Sequence, residues 1–173
     1  MSVLSSQQIW ALLDGPAPIV SDMVEASKQV QANGVDLTLA SIESLTTGGR
    51  IGLTDEDRIL ADSMELTLNP EGYVHLEPGV YLARLNETVS LPPNVMALAR
   101  PRSSMLRNGV SVHTAVWDAG YHGRSQVQVV VYNPAGFTVS KDARIVQMVF
   151  LTLESDTDSP YAGLYQGEAE SKT

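Results

Sequence analysis

The chain of 173 residues reads as an all-β domain, a distorted jelly-roll-like barrel preceded by one short helix. Three features predict this. Short runs rich in Val, Ile, Leu and Tyr recur along the chain. A turn signal separates them roughly every 8–12 residues, the spacing of sandwiches and barrels. Helical periodicity is confined to the first fifteen residues. Hydrophobic residues make up 43% and charged residues 18% of the chain, an ordinary globular composition able to bury one core.

The elements follow in order. Ser5 can cap a helix to Leu13, because Ile9, Leu12 and Leu13 share one face and Gly15-Pro16 stops it. Residues 1–15 are therefore the expected N-terminal helix. Val35 to Leu39 alternates as a half-buried strand. Ile42 to Ser63, with Gly48-Gly49 and the acidic run Asp55-Glu56-Asp57, reads as a loop-rich excursion. Glu65 to Leu68, Tyr73 to Leu76 and Val80 to Asn86 read as strands, punctuated by Asn69-Pro70, Glu71-Gly72 and Pro78-Gly79. Val95 to Ala99 is apolar. Ser104 to Arg107 predicts one helical turn ended by Asn108-Gly109. Ser125 to Tyr132 is the strongest strand, with Val127, Val129 and Val131 on one face. Phe137 to Val139 and Ile145 to Leu153 complete the set. Residues 154–173 read as a flexible C-terminal arm, so one domain spans 1–173.

Composition removes several functions. There is no cysteine, which excludes disulfides, thiol nucleophiles and the zinc deaminases that need paired Cys ligands. Net charge is −9, which argues against general nucleic-acid binding. That acidity fits a solvated acidic surface or a salt-rich cytoplasm. No run approaches the ~20 apolar residues of a membrane span, and no signal peptide is visible. The expectation is a cytoplasmic protein without a membrane or nucleic-acid partner.

Two clusters carry chemistry. Arg100-Pro101-Arg102-Ser103-Ser104 with Arg107-Asn108-Gly109 gathers three arginines and two serines around a turn, in a chain with only 11 basic residues. Guanidinium forks, hydroxyls and helix-start amides suit a polyphosphate; a solvated basic loop is the other reading. Trp117-Asp118-Ala119-Gly120-Tyr121-His122-Gly123 sets one carboxylate between a strand end and a glycine turn. Such an Asp holds a water or a sugar hydroxyl, or simply caps the turn.

These segments resemble, in order, the motifs of the trimeric dUTPases and the related dCTP deaminases. Pro101 to Gly109 is similar to their phosphate motif. Asp118 to Gly123 with Gln126 to Asn133 is similar to the next. Gly34-Val35-Asp36-Leu37 resembles the early motif and Ala143-Arg144-Ile145-Val146-Gln147 the late one. Pro78-Gly79 to Leu91-Pro92 and Tyr165-Gln166-Gly167 resemble segments of the deaminase branch. The two chemistries separate at one position. Deamination needs a carboxylic acid beside the base, carried by the deaminases three residues before the strand-closing Asn. Val130 stands there, and no carboxylate occurs between Ala119 and Lys141. The short segment Val110 to Trp117 also resembles the archaeal dUTPases, which are deaminase-like in sequence yet lack that acid.

The resemblance implies a dUTPase-type barrel that hydrolyses dUTP to dUMP and pyrophosphate; a dCTP deaminase, a bifunctional enzyme and a non-catalytic nucleotide binder are the alternatives. It implies that Asp118 activates the water. Arg102, Ser103, Ser104 and Arg107 would hold the triphosphate, with Mg²⁺ on the phosphates and Asp36 supporting it indirectly. Tyr121 would pack on the deoxyribose, and backbone groups of Val110 to Trp117 would read uracil. His113 would touch the nucleotide or be a locally satisfied strand histidine. Arg144 and Gln147 would support the site or a subunit interface. Tyr161, Tyr165 and Gln166 would close over the nucleotide or fray as a tail. The resemblance further implies a homotrimer with shared sites. Two departures stand out: Asp142 where the late motif often has Gly, and Leu164 where the deaminase arm often has a basic residue.

Overall fold

The computed structural model describes residues 2–169; residues 170–173, the end of the expected arm, lie outside the described residues. The elements run α1 Ser6–Leu13, β1 Val20–Ser21, α2 Ala26–Gln29, β2 Val30–Gln31, β3 Gly34–Leu45, a 3₁₀ turn at Asp55–Asp57, β4 Ser63–Glu65, β5 Tyr73–Leu76, β6 Gly79–Leu85 and β7 Thr88–Ser90. There follow β8 Val95–Pro101, α3 Ser103–Arg107, β9 Val110–His113, β10 His122–Gly123, β11 Gln126–Val131, β12 Phe137–Ser140 and β13 Arg144–Thr152. The protein is mainly β, as its sequence predicts.

The main sheet has the order β8-β13-β3-β6-β11-β9, with β2 and β4 also pairing β3. Its centre is β3. The first half of β3 pairs β13, matching Asp36 with Gln147 and Val35 with Met148. The second half pairs β6, and the register shifts between Leu39 and Ser41. A bulge bends a strand and increases its twist, so β3 passes from one wall to the other and curls the sheet towards a barrel. Two small sheets, β1-β7-β10 and β12-β5, complete the architecture. The core they enclose includes Leu37, Leu39, Ile42, Leu85, Val127, Val129, Met148 and Phe150.

Local chemistry explains the ends. Ser5 and Gln8 form a reciprocal capping box at α1, and Ile9 anchors the helix in the core. The Asn133 side chain accepts from the Ala135 N–H at 3.0 Å, turning the chain from β11 into β12. Gly34 is required by proximity: a Cβ there would lie 2.2 Å from the Met148 carbonyl oxygen.

Several boundaries differ from expectation. The excursion assigned to 42–63 starts later, because Ile42-Glu43-Ser44-Leu45 continues β3 between β6 and β4. The strand expected at 65–68 lies at Ser63–Glu65, set by pairing with Glu43 to Leu45. Several short elements were unexpected, among them the four-residue α2 and the three-residue β7. Neither is long enough to display a period.

Candidate active site

The residues of the expected phosphate cradle gather at the end of β8. Arg102 is the N-cap of α3, and Ser103 and Ser104 are its first residues, both exposed. Arg107 is exposed in the same turn. Arg102 is aimed by a buried carboxylate: its Nε lies 2.9 Å from Asp36 Oδ2, and Arg144 Nη1 lies 3.4 Å from the same oxygen. Arg102 also donates to the Arg144 carbonyl at 3.4 Å. Gln147 sits across the ladder from both Asp36 and Arg100. The early, phosphate and late motifs, far apart in sequence, thus meet on three adjacent strands. Burial pushes the Asp36 carboxyl above its ordinary value, while the two guanidinium groups pull the other way.

Below Asp36 lies a second polar layer. Glu87 is fully buried. Its carboxylate accepts from the Thr38 N–H at 2.9 Å, the Thr38 hydroxyl at 2.6 Å and the Gln29 amide at 2.6 Å. Gln29 also donates to the Asp36 carbonyl at 2.9 Å. This network ties α2 and Glu87, the residue before β7, to the stretch of β3 that carries Asp36.

The second cluster lines a cavity of about 680 Å³. Asp118, Tyr121, Trp117, Tyr161 and Tyr165 form part of its wall, with Leu45, Leu60, Leu82 and Val116 supplying apolar surface. Asp118 is exposed at the start of its turn, and its carbonyl accepts from the Tyr121 N–H at 3.1 Å. Tyr121 is 5% exposed and makes an edge-on contact with Tyr161 at a ring separation of 5.7 Å. The turn is shaped by Gly120, whose φ is +88°; a Cβ there would lie 2.6 Å from the Pro160 side chain.

The remaining expected residues are more dispersed. His113 is exposed at the end of β9, opposite Gln128. The β9 backbone is engaged with β11, so within Val110 to Trp117 residues 114–116 lie between the strand and the Trp117 bridge to Ala97. Gln166 pins the C-terminal segment to the turn: its side chain donates to the Gly120 carbonyl and accepts from the His122 N–H, both at 3.1 Å. Val130 lies on the outward face of β11, two positions beyond Gln128, and is absent from the cavity wall.

Glu168 has no counterpart among the residues singled out from sequence. It lines the cavity and accepts from the Tyr121 hydroxyl at 2.8 Å. Its only signal was its place directly after Tyr165-Gln166-Gly167.

One chain does not bring the two clusters together. Trp117 bridges Ala97 on β8, and Arg102 lies five residues farther along. At ~3.3 Å per residue the clusters are about 16 Å apart. Neither Arg102, Ser103, Ser104, Arg107 nor Gln147 lines the cavity.

Residues 3–153 match the model of the dCTP deaminase-like family. The chain belongs to the dCTP deaminase-like family. A relative from Methanosarcina mazei, named probable deoxyuridine 5'-triphosphate nucleotidohydrolase, is 41% identical over 97% of this chain and 98% of its own length. Another of that name, from Archaeoglobus fulgidus, is 44% identical over 97% and 98%. In fold, this dCTP deaminase-like chain is similar to the 2'-deoxycytidine 5'-triphosphate deaminase of Agrobacterium tumefaciens. That match has a TM-score of 0.65 and 24% identity, and covers 86% of this chain and 47% of the other.

The expected metal finds no dedicated cage here. Among the described residues no three His, Asp or Glu side chains converge on one point. The buried Asp36 carboxylate is engaged by two arginines. What it orients in this chain is the pair of guanidinium groups of Arg102 and Arg144. Among the described residues, no helix is long and apolar enough to cross a membrane.

Proposed function

We propose that this protein hydrolyses dUTP to dUMP and pyrophosphate. The observation that carries the reading is Asp118, a carboxylate exposed at the lip of a cavity walled by Tyr121 and Trp117, in a chain with Val130 at the deaminating position. The names of the archaeal relatives support the same activity.

Asp118 accepts a proton from a water as that water attacks the α-phosphorus in line. The new bond is oxygen to α-phosphorus. The bond to the bridging oxygen of the β-phosphate breaks, and pyrophosphate leaves. Arg102, Arg107, Ser103 and Ser104 hold the phosphates and stabilise the charge that develops. Mg²⁺, when bound, supplies charge neutralisation along the triphosphate. Tyr121 presents its ring to the deoxyribose, leaving no room for a 2′-hydroxyl. The loop after β9 reads the base, and a fixed set of backbone groups matched to uracil leaves cytosine mispaired.

The separation of the two clusters supports sites shared between copies, the cradle of one facing Asp118 of another, and the family resemblance makes that assembly a homotrimer. Apolar side chains exposed on the single chain, among them Leu106, 66% exposed, and Val116, 49% exposed, are available for such contacts.

Incubating dUTP, dCTP and UTP separately with Mg²⁺, while following pyrophosphate and ammonia, tests the reading. Pyrophosphate from dUTP alone is expected. Ammonia from dCTP would instead make this a deaminase, and silence on all three would leave a nucleotide binder.

A further inference from the structure

Four side chains join the Asp118 turn to the C-terminal segment in one row. Trp117 Nε1 lies 2.7 Å from Ser125 Oγ, Ser125 Oγ lies 2.8 Å from the Tyr121 hydroxyl, and that hydroxyl lies 2.8 Å from Glu168 Oε1. Trp117, Tyr121 and Ser125 are each at most 5% exposed. Donor chemistry gives the row a direction. An indole N–H can only donate, so the Ser125 oxygen accepts there and its own proton turns to Tyr121. The Tyr121 proton is then directed at Glu168, whose carboxylate can only accept. No other polarity satisfies all three contacts with an ionised Glu168.

The backbone reinforces this row. Arg124 N–H donates to the Glu168 carbonyl at 3.0 Å, Gly167 N–H to the His122 carbonyl at 2.8 Å, and Tyr161 N–H to the Ala119 carbonyl at 2.8 Å. Gly123 makes the approach possible: a Cβ there would lie 3.0 Å from both the Glu168 nitrogen and the Tyr121 hydroxyl. Burial pushes the Tyr121 phenol and the Glu168 carboxyl above their ordinary values, as a junction poor in water should.

We propose that Glu168 is a positioning residue for the nucleotide sugar: as terminal acceptor of the Trp117–Ser125–Tyr121 row, it fixes the Tyr121 ring in the cavity wall and fastens the C-terminal segment over the Asp118 turn. This rests on the dUTP reading. Glu168 touches no reacting atom in that scheme. It acts through Tyr121, so its loss weakens nucleotide binding more than the chemical step.

The chain contains two tryptophans, so Trp10→Phe leaves Trp117 as the sole indole reporter. In that background Glu168→Ala is expected to raise KM for dUTP about fivefold to tenfold, the scale of one lost net hydrogen bond, with kcat within about twofold of the parent. Trp117 emission should shift to the red as water enters the row. Glu168→Gln, whose amide oxygen still accepts from Tyr121, should restore both values. Unchanged KM and emission in Glu168→Ala would overturn the proposal. So would a Glu168→Gln protein that behaves like the alanine variant, or a loss confined to kcat. If the parent itself leaves dUTP intact, the triphosphatase reading fails, and emission with and without Glu168 still decides whether the row exists.

Discussion

Asp36 Oδ2 and Arg102 Nε lie 2.9 Å apart, joining the middle of the early motif to the second residue of the phosphate motif. The carboxylate side is 2% exposed and the arginine side 28%. Removing one partner of a buried pair leaves the other charge uncompensated. Asp36→Ala is expected to destabilise the fold by about 2–3 kcal/mol, below the fully buried range because Arg102 reaches solvent. It should also raise KM for dUTP, since Arg102 and Arg144 lose their common anchor. Urea unfolding and steady-state kinetics check the two effects. A stable variant with normal KM would remove Asp36 from the support of the cradle.

Asp118→Asn separates chemistry from binding. The amide keeps the shape of the side chain and cannot take a proton from water. Pyrophosphate release should fall by about 100-fold or more. Stability should hold, because Asp118 is exposed at its turn. Calorimetry with a non-hydrolysable dUTP analogue should still show binding. Near-normal turnover would assign the base elsewhere.

Much of this was legible in the residues themselves. Alternating Val127, Val129 and Val131 do lie in the core, and the Ser5 cap and the Asn108-Gly109 stop are where periodicity and turn chemistry place them. What pattern could not show is long-range pairing. Ile42 to Leu45 is a strand because β4 and β6 flank it, and neither neighbour is local. Asp142 explains its own departure: its φ of +61° is the left-handed conformation that glycine prefers, and Asn86 holds its carboxylate at 2.9 Å. Glu168 carries no local signal because its partner is Tyr121, 47 residues away. The separation of the two clusters is hidden for the same reason, since motif order carries no geometry.

That distance makes shared sites testable without a structure of the assembly. Asp118→Asn and Arg102→Ala should each be inactive alone. If each site takes Asp118 from one copy and Arg102 from another, an equal, subunit-exchanged mixture regains roughly one quarter of the wild-type sites. Each such site needs an Arg102→Ala chain on one side and an Asp118→Asn chain on the other. Mixing and refolding, followed by pyrophosphate release, reads this directly. No recovery would confine the site to a single chain.

Glu87 sets a dependence of stability on pH. Burial raises its carboxyl above the ordinary 4.5, against the hydrogen bonds from Thr38 and Gln29 that lower it. The folded chain therefore keeps this proton to higher pH than the unfolded chain does. Its contribution to stability is fully present below pH 4.5 and is lost as pH rises through the raised value. Asp36 and Glu168, also raised by burial, act in the same sense. Asp22 acts in the opposite sense, because the Thr88 hydrogen bond holds it below 3.8; its contribution is lost as pH falls through that lowered value. Stability should thus peak in mild acid and decline towards neutrality. Repulsion from the net charge of −9 adds to the same decline, so a variant must separate the two. Glu87→Gln leaves global repulsion nearly intact and removes this one titration. It faces an amide N–H₂ towards Thr38 donors, which should cost about 1–3 kcal/mol in mild acid. Between pH 4.5 and 7 its melting temperature should fall less steeply than that of the parent protein. Parallel slopes in thermal unfolding followed by circular dichroism would show that Glu87 does not carry this dependence.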